Sequence, residues 1–248
     1  MAFWRFDGGY PPYVPVAERR AKALLQAKKL EKKGRKLDPV RVAGTRIAAS
    51  FWGKAWCTNL ESYSDLSNRL PRGRTYLRTG AVLDLKIAAG SVNALVAGSS
   101  LYEVSVRIRR LPRKRWKGVI SSCTGQVDSA IELLSGRVPE PVLRALVDRK
   151  AGLFPAPAEI EFDCSCPDFA GMCKHIAAVL YGVGARLDRS PELFFTLRKL
   201  DLNDLVAGSV PVAAPSDLDG ASLEGIFGIE LDRDDPAPPQ RKSARRRA

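Results

Sequence analysis

The segment FDCSCPDFAGMCKHIAAV, residues 162–179, decides how the second half of this chain folds. A C-x-C pair, a spacer and a C-x-H pair bring Cys164, Cys166, Cys173 and His175 close together in sequence. The four residues include the only histidine of the 248-residue chain and three of its five cysteines. This spacing predicts a short strand, a turn and a helix that are joined by one metal ion.

Zinc suits this set of ligands. Residues two apart on a strand point to the same side, so Cys164 and Cys166 can reach one ion. Cys173 and His175 fall at the start of the following helix, where free N–H groups favour a thiolate. Three sulfurs and one imidazole complete a tetrahedron, so we expect one structural Zn²⁺. The ion and its three thiolates together have a net charge of −1, which Lys174 offsets. The alternative is that unrelated cysteines happen to meet in a buried strand and helix.

The same residues argue against an enzyme. A catalytic zinc needs an open coordination position and a carboxylate base, whereas the nearest acid within the loop, Asp168, reads as a turn residue. The H-x-E and P-C-x-x-C signature of zinc deaminases is absent, and so is a phosphate-binding G-x-x-x-x-G-K-[ST] loop. A nuclease would need a histidine beside clustered acids. We therefore expect no catalytic residue and no small-molecule substrate.

Upstream, three strand patterns follow one another: AVLDLKIAAG (81–90), SVNALVAG (91–98) and YEVSVRIRRL (102–111). The last alternates apolar with polar residues, as a half-buried strand does. Glycine and serine supply the turns, which favours an antiparallel three-stranded meander. Helical patterns surround these strands, three of them between residues 113 and 150. The predicted fold class is α+β: a small antiparallel sheet with helices, followed by the zinc-stapled strand, turn and helix.

Two helices before the strands have different characters. Residues 16–37 favour helix through Ala, Leu, Lys and Glu, with a thin apolar stripe. We place Ala21, Leu24, Leu25 and Ala27 in that stripe. Between 51 and 66 the apolar residues recur at helical spacing, which predicts a core-facing stripe rather than a base-stacking platform. This second stripe consists of Trp52, Trp56, Leu60 and Tyr63.

These patterns divide the chain into four segments: an extended arm with aromatic residues and prolines (1–17), a basic α+β domain (18–150), the finger with its following helices (151–207) and a disordered tail (208–248). The helix after the finger is followed by another that Ser190 and Pro191 are expected to start. The tail holds a small apolar island, LEGIFGIEL, among acidic residues.

Charge is distributed unevenly along the chain. The net charge is +11 over residues 1–80 and +6 over 81–150, but −3 over 151–207 and −1 over 208–248. A basic region of this kind attracts phosphate backbones, so nucleic acid is the leading partner class. The alternative is a solvated basic surface. The residues expected to contact phosphate lie on the lysine-rich helix and in the basic loop or helix start at 69–80: Lys28, Lys29, Lys32, Lys33, Arg35, Lys36, Arg72, Arg74 and Arg78.

The C-x-C and C-x-H pairs and the helix IAAVLY (176–181) resemble the SWIM zinc finger. YPPYVPVAERR, FWGKAWCTNLE, PRGRTYLRTGAVLDLKI and VRIRRL extend the likeness to bacterial SWIM zinc finger family proteins over roughly residues 8–200. The resemblance implies a non-enzymatic module that binds DNA or proteins beside a Swi/Snf-type helicase-like ATPase. Two hypotheses follow: a nucleic-acid-binding accessory factor, DNA being favoured over RNA, or a protein–protein adaptor whose acidic finger half docks the partner.

The start of the chain, MAFWRFDGGYPPYVP, lacks the apolar middle and cleavage site of a secretory signal. No run of residues is long and apolar enough for a membrane span. We therefore expect a cytoplasmic protein, associated with the nucleoid if it binds DNA, with reduced thiols that favour metal over disulfides.

Overall fold

The computed structural model describes residues 15–63, 69–127, 129–168 and 171–209. Nearly all of the predicted arm and tail, including the LEGIFGIEL island, lies outside these ranges. The described helices and strands are α1 (Val16–Lys32), α2 (Phe51–Glu61), α3 (Leu70–Arg78), β1 (Val82–Ala88), β2 (Ser91–Ala97), β3 (Leu101–Ile108), α4 (Arg113–Cys123), α5 (Ala130–Ser135), α6 (Glu140–Val147), β4 (Ile160–Cys164), α7 (Lys174–Leu187), α8 (Glu192–Arg198) and α9 (Leu202–Ser209).

The sheet has four antiparallel strands in the order β1-β2-β3-β4. The first three form the predicted meander, and the α+β class is confirmed. The fourth strand comes from the finger: Val104 of β3 pairs with Cys164, and Ile108 pairs with Ile160. The predicted segments 18–150 and 151–207 therefore share one sheet, and their apolar side chains share one core.

The central element of the core is α7. It is buried along almost its whole length because other elements surround it. Small residues let the neighbouring helices approach closely: a Cβ on Gly73 of α3 would lie 2.4 Å from the Ala177 Cβ. A Cβ on Gly53 of α2 would lie 2.7 Å from the Gly184 carbonyl oxygen. Glycine is needed at both crossings because no side chain fits between the helices.

The apolar stripe of α2 faces the core, as its spacing predicts. Trp52, Trp56 and Leu60 are buried, and Tyr63 is half-buried just beyond the helix. Both indole N–H groups donate to backbone carbonyls, from Trp52 to Leu133 at 3.1 Å and from Trp56 to Leu180 at 2.8 Å. The stripe therefore packs inward with its polar atoms satisfied.

The stripe assigned to α1 is wrong in detail. The helix buries Ala23 and Ala27, whereas Leu24 and Leu25 are 40% and 60% exposed. The Gln26 side chain accepts a hydrogen bond from the Leu101 N–H, which brings the helix close to the sheet. The small alanine side chain fits this close approach. Which residues of α1 are buried therefore depends on which of them face the sheet and not on how hydrophobic they are.

Two local assignments are refined and one is corrected. Residues 70–78, read as a loop or helix start, form helix α3 with Pro71 in its first turn. The three helices expected between 113 and 150 are α4, α5 and α6. Ser190 does not cap the helix after α7: the N-cap of α8 is Pro191, and no side chain caps it. Within the described ranges, no helix is long and apolar enough to cross a membrane.

Candidate metal centre

The four predicted ligands converge in space. One ligand atom from each of Cys164, Cys166, Cys173 and His175 lies within 4.8 Å of the others. His175 turns its Nδ1 toward the sulfurs, at 3.9 Å from Cys164 Sγ and 3.8 Å from Cys173 Sγ. Two ligands are buried and two are half-buried. The site is therefore shielded on one side by the core.

The C-x-C pair is delivered by the end of a strand, not by its interior. β4 stops at Cys164, and Cys166 lies in the turn that follows. The expectation that both cysteines lie on the strand is wrong, although both still reach the cluster. Ser165 fixes the turn against β3, since its N–H donates to the Glu103 carbonyl and its hydroxyl accepts from the Glu103 N–H, each at 3.0 Å.

Cys173 is the N-cap of α7, as the sequence predicts. Its sulfur accepts a hydrogen bond from the Ile176 N–H at 3.5 Å, and its backbone is extended. The unpaired N–H groups of a helix start favour a negatively charged sulfur. The helix that supplies His175 therefore also stabilises the neighbouring thiolate.

Hydrogen bonding among the sulfurs prepares the site for a cation. The Cys164 thiol donates to Cys173, which lowers the pKa of Cys173 far below its ordinary value. The same bond, with burial, raises the pKa of Cys164. Zinc binding is expected to release the remaining thiol proton of Cys164, because a cysteine binds zinc as a thiolate.

The ring of His175 is held between two tyrosines. Tyr102 of β3 lies against it with ring centroids 4.5 Å apart, and Tyr76 of α3 meets it edge-on at 5.4 Å. Its Nε2 is buried and has no hydrogen-bond partner among the described residues. Nδ1 is therefore the nitrogen that is positioned to bind a metal. A metal-bound histidine usually donates a hydrogen bond from its other ring nitrogen, and here contact with the two tyrosines orients the ring instead.

Gly98 lies so close to the His175 ring that a side chain at this position would clash with it. A Cβ at this position would lie 2.7 Å from Tyr102 Cε2 and 2.8 Å from His175 Nε2. We expect Gly98→Ala to push both rings, to lower the free energy of unfolding by about 1–2 kcal/mol and to weaken zinc binding. Thermal melting and competition with a colorimetric zinc chelator measure the two effects. At the matched change Gly171→Ala, no atom of the described structure beyond the chain neighbours lies within 4 Å of the added Cβ, so zinc affinity should stay unchanged.

The donor set fits one structural zinc ion. Zinc–sulfur bonds of about 2.3 Å in a tetrahedron give sulfur–sulfur edges of about 3.8 Å, which the cluster reaches with small movements. Three cysteines and one histidine fill every coordination position. Cys164, Cys166, Cys173 and His175 would hold the ion, which staples the end of the sheet to the start of α7.

Two cations contact residues at the finger. The Lys174 ammonium lies 5.9 Å from the centroid of the Tyr76 ring, and Arg69 pairs with Asp168 at 3.5 Å. Asp168 thus links the finger to the start of α3. Neither Arg69 nor the two tyrosines has a motif that marks it in the sequence, because each acts through a long-range contact.

All nine residues expected to contact phosphate are exposed. Two of them already have carboxylate partners: Arg35 pairs with the buried Asp84, and Arg74 pairs with Glu61 and also donates to the Tyr181 hydroxyl. No carboxylate of the described residues lies within ion-pair distance of the other seven. These seven are Lys28, Lys29, Lys32, Lys33, Lys36, Arg72 and Arg78.

Comparisons with known proteins agree with this geometry. The model of the SWIM zinc finger matches residues 160–183, which span β4, the ligand turn and most of α7. The chain is 32% identical over 217 residues to the uncharacterized protein Rv2102 of Mycobacterium tuberculosis, a match that covers 81% of this chain and 78% of that protein. No solved structure matches. The likeness supports zinc binding at this site, and the chain belongs to the SWIM zinc finger family.

Proposed function

We propose that this protein binds nucleic acid, with DNA as the first candidate, through phosphate contacts made by α1 and α3. It would act as an accessory factor to a Swi/Snf-type helicase-like ATPase, in the cytoplasm and at the nucleoid. The observation that carries the proposal is the outward face of α1. Its lysines are exposed and lack carboxylate partners among the described residues.

Helix geometry sets these lysines on the side away from the core. Ala23 and Ala27 face the sheet, and at about 100° per residue Lys28, Lys29 and Lys32 project from the opposite side. Lys33 and Lys36 continue the positive charge past the end of the helix. A row of flexible ammonium groups suits a phosphate backbone, because each neutralised phosphate releases counterions.

Helix α3 adds a second basic element, and the finger holds it in position. Tyr76 contacts the His175 ring, Gly73 lies against Ala177, and Arg69 pairs with Asp168. Arg72 and Arg78 leave this helix exposed and unpaired among the described residues. The zinc site therefore supports nucleic-acid binding indirectly, by fixing the helix that carries these arginines.

Contacts of this type position a duplex without reading its sequence. We expect low sequence specificity and an affinity that falls steeply with salt, by roughly one power of salt concentration for each phosphate contacted. Fluorescence anisotropy with a random DNA duplex between 50 and 200 mM salt measures this. The variant with Lys28, Lys29, Lys32 and Lys33 changed to glutamine should bind more weakly and lower the salt slope by about three to four.

A matched variant distinguishes the effect of the α1 lysines from that of the protein's overall positive charge. Changing Lys54, Lys114, Lys117 and Lys150 to glutamine removes the same charge elsewhere and should leave most of the affinity. Equal losses in the two variants, or no binding at low salt, would contradict the proposal. A single-stranded RNA of equal length, measured in parallel, decides between DNA and RNA.

The second candidate is a protein–protein adaptor. The observation in its favour is the −3 charge of residues 151–207, which makes the finger half a poor phosphate binder. Two results would favour the adaptor. The anisotropy experiment would show no nucleic-acid binding at low salt, and a helicase-like ATPase would be recovered when the tagged protein is isolated from its own cells.

A further inference from the structure

A groove of about 800 Å³ runs between α4 and α6. Apolar side chains, among them Val119 of α4 and Ala145 of α6, line it together with the aliphatic parts of basic residues. Among the residues that the structure describes, no Phe, Tyr, Trp or His, which could stack on nucleotide bases, lines it. A floor of this composition suits aliphatic side chains better than bases.

The rim of the groove is positive. Lys114, Arg115, Arg144 and Lys150 surround it, and the only acid in the lining is Asp148. The Asp148 carboxylate accepts from the N–H groups of Lys150 and Ala151, at 2.8 and 2.6 Å. The negative charge of Asp148 is therefore partly offset by these backbone N–H groups.

Two of the four cations are already engaged and two are not. Arg115 donates to the Gly152 and Phe154 carbonyls and pairs with Glu159, so it supports the wall of the groove. Arg144 pairs with Glu140 in an exposed contact that a ligand can replace at little cost. Lys114 and Lys150 are exposed, and neither forms an ion pair with a carboxylate of the described residues, although Lys150 lies close enough to Asp148 to help lower the pKa of that carboxyl.

A glycine in the middle of α4 gives independent evidence. Gly118 lines the groove, and among the described residues no atom outside its own helix backbone and chain neighbours lies within 4 Å of the place that a Cβ would occupy. Glycine inside a helix costs about 0.5–1 kcal/mol relative to alanine, and nothing packed against this position in the described structure requires it. A partner that approaches the helix backbone closely would require it.

We propose that the α4–α6 groove docks an acidic amphipathic helix of a partner protein. Aliphatic side chains of that helix fill the floor and pack against Gly118, and its flanking carboxylates pair with Lys114 and Lys150. A hydrophobic groove that takes the apolar face of an amphipathic helix is a recurring mode of peptide recognition. The inference is independent of nucleic-acid binding by α1 and α3.

The test uses the full zinc-loaded chain and a defined probe. The probe is a fluorescein-labelled, alanine-based helical peptide of about four turns, with leucines along one face and glutamates beside them. We expect a Kd on the order of micromolar. A peptide with glutamines in place of the glutamates should bind at least about tenfold more weakly, because it lacks the carboxylates.

Two variants of the groove test its two features. Gly118→Leu fills the space in front of α4 and should weaken peptide binding more than about tenfold, while the melting temperature stays equal or rises because leucine favours helix. Lys114→Glu with Lys150→Glu should do the same through charge. Lys28→Glu with Lys36→Glu makes an equal charge change on α1 and should leave peptide binding within about twofold.

Three results would overturn the proposal. The first is that the peptide binds all these variants equally, and the second is that it binds none of them, the unaltered chain included. The third is that a random DNA duplex displaces the peptide and itself loses affinity for Gly118→Leu, which would make the groove a nucleic-acid surface.

Discussion

Replacing Cys173 by serine is expected to abolish zinc binding and to lower the free energy of unfolding by more than about 4 kcal/mol. Cys173 is buried, caps the central helix and lies 3.8 Å from the ligating nitrogen of His175. Binding free energy at a structural site is folding free energy, so both losses must appear together. Inductively coupled plasma mass spectrometry gives the zinc content, and chemical denaturation gives the stability.

Cys57→Ser is the matched control. Burial raises the pKa of the Cys57 thiol to about 12, and this thiol lies against α7 away from the ligand cluster. The variant should keep a full equivalent of zinc and lose about 1 kcal/mol or less. Complete loss of metal from Cys173→Ser with an unchanged unfolding curve would show that the ion has no structural role.

Gly73→Ala is expected to lower the free energy of unfolding by about 3 kcal/mol. The added methyl would lie 2.4 Å from the Ala177 Cβ and 2.7 Å from the Ala177 carbonyl carbon. Backbone atoms on both sides cannot turn away as a flexible side chain can, so α3 must move off α7. That movement also draws Tyr76 away from His175, and zinc affinity should fall with stability. Denaturation and chelator competition measure the two effects.

Gly118→Ala is the matched glycine substitution. It too lies inside a helix, but within the described part of the chain its Cβ would meet no atom within 4 Å other than its own helix backbone and chain neighbours. Alanine there should stabilise the protein by about 0.5–1 kcal/mol. If both variants lost the same stability, the close crossing of α3 and α7 would not be what requires Gly73.

Local patterns predict the parts of the fold that depend on neighbours in sequence. The alternation from Tyr102 to Ile108 gives a strand, the helical recurrence of Trp52 and Trp56 gives a buried face, and the spacing from Cys164 to His175 gives the ligand set. Each pattern is set by the geometry of a single element. The ligands are the clearest case, since their chemistry admits few other roles.

Long-range contacts account for what the sequence does not predict. Nothing near residue 104 or 164 indicates that β4 extends the meander, because the pairing depends on where the chain returns. Leu24 and Leu25 have the hydrophobicity of core residues, yet the close approach of α1 to the sheet selects the alanines instead. The roles of Gly98 and Gly73 likewise appear only when the rings and helices that meet them are in place.

The central position of α7 has a consequence for synthesis of the protein on the ribosome. The sheet, α2 and α3 all precede α7 in the chain, and their apolar faces pack against it. At ribosomal rates of about 5–20 residues per second, these faces wait on the order of ten seconds for their partner to be translated. The nascent chain is therefore expected to bind chaperones at least until residue 187 has left the exit tunnel.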